Sequence, residues 1–359
     1  MKSQLRLPGV ILGAMFLAIS LLATPAGAQI PPLDDRAAAL KGADRLLDIQ
    51  NANGSFPWLL PDTTPYQNVQ GVTAIGLLEA YKLSADSRYL DAAKKTRDWL
   101  ATYRYSTTPP RALSASNIYF LAEYALLSLN LDDLNLARAV LAARVEEHST
   151  GAGLVTFIIQ ARKDQGHTNL GLWDAALYVR AAQDVGSTAL ANEMANALAT
   201  QSIVDPFATT ANWYEIGLTG LILGLSEADF LGHKDLIDDA SAALLATQAA
   251  DGSFPSTYGG VVYPQDTQTT AYAVLGLLSV AQIQPALAGA DFIRVTQRAD
   301  GSFAPCLPDD STGCGGQDYA EVDAEAIAAL VAAVLPLPNG VLAYGDAAVA
   351  VLPPPALLP

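Results

Sequence analysis

Gln248-Ala-Ala-Asp251-Gly252-Ser253-Phe254 is the stretch from which this chain is best read. It returns almost letter for letter as Gln297-Arg-Ala-Asp300-Gly301-Ser302-Phe303, and occurs earlier as Gln50-Asn-Ala-Asn53-Gly54-Ser55-Phe56. Three copies of Q-x-x-[D/N]-G-S-F in one chain mark a repeat architecture. Each part has a physical duty. Asp-Gly or Asn-Gly makes a tight turn, with Gly at positive φ. Gln falls in the last helical turn, where its amide can satisfy free carbonyls or tie to the next repeat. Phe returns to the core. The motif therefore reads as a structural staple between helical hairpins, and it names no substrate.

The periodicity around these turns is helical throughout. Apolar helices are expected near residues 68–82, 116–129, 169–185, 212–225, 266–281 and 318–334. Amphipathic helices are expected after the first five, near 88–103, 131–148, 187–201, 234–248 and 285–297. The sixth apolar helix has no follower, and the helix near 31–50 is spare. Pairing those two closes a ring. The chain is thus expected to be all-α, an (α/α)6 toroid of six hairpins closed by its N-terminal helix. An open solenoid is the alternative, but it would need polar capping repeats, which the sequence lacks.

Outside this unit, Lys2 and Arg6 precede a short apolar run, and Ala26-Gly27-Ala28 offers a small-residue cleavage site. Residues 1–28 therefore read as a signal peptide, 29–335 as the toroid domain and 336–359 as a Pro-, Ala- and Val-rich tail. This predicts export to the periplasm or beyond. Removing Lys2 and Arg6 takes the formal charge from −16 to −18. Such an acidic balance argues against nucleic acid and anionic membrane surfaces as partners. No stable membrane anchor is expected, and a small-molecule or glycan ligand fits better. Cys306 and Cys314 share one loop, which in an exported chain predicts a local disulfide. Without a nearby His they make a poor zinc site, so neither a metal nor a cofactor is expected.

The motif is followed by Asp266-Thr-Gln-Thr-Thr-Ala-Tyr-Ala-Val-Leu-Gly-Leu-Leu. With it, the chain resembles the terpenoid cyclase/protein prenyltransferase-like α/α-toroid superfamily, which also holds thioester domains. The resemblance implies the toroid and says little of activity. The D-x-D-D acid motif of the cyclases is absent, since Asp235-Leu-Ile-Asp238-Asp239 has another spacing. The zinc site of the prenyltransferases is absent too. Gly313-Cys314-Gly315-Gly316-Gln317 approaches the thioester motif but carries Gly in place of its Glu.

In a toroid the inner helices all begin on one face. The loops leading to it, 51–67, 106–115, 149–168, 203–211, 249–265 and 298–317, are the long ones, and the site belongs beneath them. Asp174 and Asp323 lie about a turn inside apolar helices, where a carboxylate is costly unless paired or facing water. With Glu215 and His167 they are the candidate catalytic residues. Gln70, Asn117, Trp173, Trp213, Tyr214, Asp266 and Gln268 are the candidate ligand-binding residues. Capping accounts for some of these equally well: Asn212-x-x-Glu215 and Asp318-x-x-Glu321 read as capping boxes, and Asp266 as an N-cap. Aromatic rings beside carboxylates suit a sugar-like ligand, and two carboxylates could act as acid and base in glycoside hydrolysis. His167 or a Tyr could instead serve as the base of a polysaccharide lyase. Three functions follow: an exported enzyme acting on a carbohydrate-like substrate, a non-catalytic ligand- or protein-binding toroid, or terpenoid chemistry.

Overall fold

The computed structural model describes residues 33–202, 212–307 and 316–335. The expected signal peptide, the C-terminal tail and Cys314 lie outside them. Within them run thirteen helices and one two-stranded sheet.

Six helices form an inner ring: α2 (Gln70–Ser84), α4 (Ala115–Ser128), α7 (Thr168–Asp184), α9 (Tyr214–Asp229), α11 (Thr267–Ser279) and α13 (Ala320–Val334). Each packs on the next, and α13 packs on α2, so the ring is closed. The closed all-α toroid is the observed fold. The outer layer is α1 (Leu33–Ile49) on α13, α3 (Ser87–Arg104) on α2, and α5 (Leu131–Glu146) on α4. It continues with α8 (Thr188–Ser202) on α7, α10 (Lys234–Leu245) on α9, and α12 (Ile283–Val295) on α11.

Sequence explains the layering. The inner helices are apolar all round because neighbours cover them on every side. In α9 every residue from Tyr214 to Leu225 is buried. Leu77, Leu121, Ile222, Leu277 and Leu330 fill the ring interior, each contributing about 1.5–3 kcal/mol by burial. Small residues let the inner helices approach closely. A Cβ on Gly76 would lie 2.8 Å from the Ala324 Cα, across the seam where the ring closes.

The three motif copies adopt one geometry at the joints between hairpins. Gln50 Nε2 donates to the Gly54 carbonyl at 3.2 Å and to the Ala92 carbonyl, on α3, at 2.9 Å. Gln248 Nε2 reaches Gly252 and Pro285 of α12, and Gln297 Nε2 reaches Gly301 and Ala38 of α1. Each Gln thus bonds its own turn and the next outer helix.

Two elements depart from expectation. Residues 149–168 were expected to be a Gly-rich loop but contain a helix, α6 (Gly151–Lys163), lying on α7 and α8. Thr150 caps it, its hydroxyl accepting from the Gly153 N–H at 2.9 Å. Leu154, Val155 and Ile159 supply its buried face. Gly151 and Gly153 are there for close packing against Leu190 and the His148 carbonyl. Residues 249–265 hold a hairpin, β1 (Phe254–Tyr258) and β2 (Val261–Asp266), paired Ser256 to Tyr263 and Tyr258 to Val261. Gly259-Gly260 turns it, both at positive φ, as two-residue hairpin loops require.

Candidate functional site

A cavity of about 970 Å³ opens on the face where the inner helices begin. Its lower wall comes from the first turns of α7, α11 and α13. Its rim comes from the loop before α2, the β1–β2 hairpin and α6.

Tyr272 on α11 is the hub of the floor. Its ring lies 4.1 Å from that of Trp173, centroid to centroid. Its hydroxyl donates to Glu325 Oε1, which also accepts from Gln268 Nε2 at 3.1 Å. Glu321 stands one turn before Glu325 on α13, and its Oε1 accepts from Trp58 Nε1 at 2.6 Å. Asp266 ends β2 and caps α11, accepting from the Thr269 N–H at 2.6 Å. Across the floor, Asp174 Oδ2 meets Arg162 Nε at 2.8 Å and Nη2 at 2.7 Å.

Low solvation governs these carboxyls. Burial pushes Asp266 up to about 6 against the lowering pull of its Thr269 hydrogen bond. Burial holds Glu325 well above the carboxylate range, with the Glu321 charge adding to it. Glu321 is raised by burial and drawn back by Trp58. Asp174 is raised by burial and drawn back by Arg162. Carboxyls that burial raises and hydrogen-bonding neighbours draw back to different extents are the groups from which proton donors and acceptors are drawn.

Of the candidate residues, Asp174, His167, Trp173, Trp213, Asp266 and Gln268 line this cavity. His167 stacks on Tyr258 at 5.8 Å, and Trp213 meets the same ring at 5.1 Å. The other five sit elsewhere. Asp323 is fully buried, and its Oδ1 accepts from the Phe303 N–H at 2.6 Å. Gln70 Oε1 accepts from the Phe56 N–H at 2.7 Å, and Thr270 Oγ1 does the same for Phe254 at 2.9 Å. Asp323 and Gln70 therefore hold the motif phenylalanines. Asn117 Oδ1 accepts from the Gly71 N–H at 2.7 Å, joining α4 to the start of α2. Tyr214 and Glu215 are buried at the start of α9. Burial raises Glu215 to about 7, with Asp266 contributing.

Neither capping box forms. Trp213, at φ 61°, occupies the cap of α9, and Asn212 turns to the Gly166 carbonyl at 3.4 Å. Asp318 pairs with Arg45 at 3.1 Å, leaving Glu321 to Trp58. Glu325, Tyr272, Tyr258 and Arg162 were missed as site residues. Glu325 is the last of three acidic residues at the start of α13, against the apolar run that follows, and the cost of burying its charge there was the available signal.

No protein-family model and no curated protein matches the chain. Solved structures do. A possible member of the GH105 family from Klebsiella pneumoniae superposes with a TM-score of 0.60 at 13% identity, over 93% of this chain and 99% of that one. The GH76A α-1,6-mannanase from Salegentibacter sp. HEL1_6 gives 0.59 at 11%, over 83% and 98%. The unsaturated glucuronyl hydrolase from Bacillus sp. GL1, responsible for degradation of glycosaminoglycan, gives 0.57 at 16%, over 83% and 95%. At these identities the likeness defines the fold class, an α/α toroid shared with carbohydrate-active enzymes.

Proposed function

We propose that this protein is an exported glycan-processing enzyme, hydrolysing a glycosidic bond in the central cavity. The observation that carries this reading is the floor cluster. Asp174, Asp266, Glu321 and Glu325 surround Tyr272 and Trp173 in one cavity, at the inner-helix mouths of a toroid. Hydroxyl-rich rings offer donors to carboxylates and flat faces to aromatic side chains. Terpenoid chemistry, by contrast, favours an apolar basin, and four carboxyls with the guanidinium groups of Arg144 and Arg162 make this one polar.

Asp266 is the proton donor in this reading. A carboxyl near 6 keeps part of its proton at neutral pH and can give it to a leaving glycosidic oxygen. Asp174, whose charge Arg162 favours, takes the proton of the attacking water. Trp173 and Tyr272 present the floor on which the sugar ring lies, and Gln268 orients Glu325. A disulfide between Cys306 and Cys314 would fasten the loop before α13. Cys306 is buried, and among the described residues no cysteine is free.

The test is release of reducing ends from a panel of mannans, glucans, pectins and glycosaminoglycans. Wild type should release them from at least one polymer. Asp266→Asn and Asp174→Asn should each lower the rate by roughly 10²–10⁴-fold while still binding that polymer. Binding without turnover by wild type would instead make the toroid a lectin-like binder. Silence on every polymer would remove the carbohydrate reading.

A further inference from the structure

Two aromatic surfaces stand on the cavity rim. One is Trp58, stacked on Tyr66 at 5.5 Å and meeting Tyr319 at 5.5 Å. The other is Tyr258, against His167 and Trp213. Trp58, Tyr66 and Tyr258 are 42%, 52% and 47% exposed. Packed on their neighbours yet this open at a cavity mouth, these large rings keep faces free for a ligand.

Ring order fixes where they stand. The first surface joins the loop before α2 to the start of α13. The second joins the starts of α7 and α9 to the hairpin tip. In a ring running α2, α4, α7, α9, α11, α13, the α13/α2 seam lies diametrically opposite the α7/α9 seam. Both surfaces are also held by backbone. The Leu60 N–H donates to the Asp318 carbonyl at 2.9 Å and the Ala320 N–H to the Trp58 carbonyl at 3.1 Å. The Trp213 N–H donates to the Thr257 carbonyl at 3.0 Å. Rings fixed before a ligand arrives lose little freedom on binding it.

We propose that these surfaces are sugar-stacking platforms at the two ends of one binding track, so that the site grips the interior of a glycan chain rather than its tip. This rests on the carbohydrate reading above. Inner helices packed 8–10 Å apart in a six-membered ring put opposite seams about 14–17 Å apart. A pyranose built of bonds near 1.5 Å advances a chain by about 5 Å. The track therefore spans about four sugar units. Its middle is the Trp173–Tyr272 floor, with the carboxyl cluster beside it. Both platforms stand half exposed on the rim, leaving a longer chain room to continue past each. Cleavage over the floor then cuts within the chain: water adds its oxygen to the anomeric carbon, and the leaving oxygen takes the donor's proton. Both products are oligosaccharides.

Chain-length dependence tests this. Calorimetric titration would use α-1,6-manno-, cello- and galacturono-oligosaccharides of two to six units, with the wild-type protein and the Tyr66→Ala and Tyr258→Ala variants. For the series that binds, affinity should rise about tenfold between two and four or five units, as roughly 1.4 kcal/mol of added stacking gives. Each variant, checked for fold by circular dichroism, should lose most of that rise, the loss shrinking as the chain shortens. On the matching polymer, viscosity should fall well before monosaccharide is released. Affinity that stops growing at two units, unchanged long-chain binding in both variants, or monosaccharide as the first product would overturn the two-platform track and leave the carbohydrate reading standing. No binding by any series, with every polymer silent, would remove both.

Discussion

Glycine at 54, 252 and 301 meets two demands at once. Each sits at positive φ, 88°, 89° and 97°. Each also lies against the backbone of the next outer helix: a Cβ on Gly252 would come within 2.1 Å of the Ala288 carbonyl oxygen. The preceding Asn or Asp accepts from both the N–H and the hydroxyl of the following Ser, as Asp251 Oδ1 does from Ser253 at 3.1 and 2.6 Å. Gly252→Ala should therefore destabilise by at least about 2 kcal/mol, read as a lower thermal midpoint. Asp323 yields a sharper test. Burial raises its carboxyl well above the usual carboxylate range, and Asp323→Asn should be mild because its amide oxygen still accepts from Phe303. Asp323→Leu leaves that N–H unsatisfied and should lose about 1–3 kcal/mol. Equal damage from both would contradict the assigned role. The motif was legible in sequence because it recurs. The partners of its Phe were not, since Gln70, Thr270 and Asp323 stand at three different distances from it and share only an acceptor oxygen.

At the scale of elements, α9 packs on α7 through a row of glycines. A Cβ on Gly217 would meet Asn169 at 2.7 Å, one on Gly220 the Trp173 Cα at 2.7 Å, and one on Gly224 the Ala176 Cβ at 2.9 Å. Gly220 lies against backbone, so Gly220→Ala must push the helices apart beneath the cavity floor. It should lose about 1–3 kcal/mol and shift Trp fluorescence through Trp173. An unshifted spectrum with unchanged stability would show that the seam is loose. Inner and outer helices were legible from their apolar periods. Helix α6 was not, because Gly151 and Gly153 looked like loop residues when they are contact points. The β1–β2 hairpin was hidden for a similar reason: five or six residues a strand give too short an alternation to outweigh a Gly-Gly pair. Both missed elements form the cavity rim, so the location of the site was readable and much of its lining was not.

Over the whole molecule, the ring buries carboxyls at both ends. Beyond the cavity cluster, a second network at the far ends of α2, α4, α7 and α9 joins Lys82 to Glu79 and Glu123, and Arg180 to Glu227. Burial raises Asp184 beside it, with the Glu123 and Glu227 charges adding. A carboxyl with a raised folded pKa binds its proton more tightly folded than unfolded. Its stabilisation is present at low pH and is lost as pH rises through the raised value. For Glu215 that window runs from its ordinary 4.5 to about 7. The thermal midpoint should thus be higher near pH 5 than near pH 8. Glu215→Gln should flatten the profile by up to about 3 kcal/mol. Among the described residues no helix is long and apolar enough to cross a membrane.

What ties these scales together is a closed ring whose joints position a carboxyl cluster at the inner-helix mouths. The direct measurement is polysaccharide turnover by wild type and Asp266→Asn, with binding of the same polymer followed in parallel. Reducing ends should appear with wild type, and Asp266→Asn should bind as tightly yet release them at least about 100-fold more slowly. An Asp266→Asn variant as fast as wild type would contradict the assignment of the proton donor. A wild-type protein that neither binds nor cleaves any polymer would contradict the reading of the cavity.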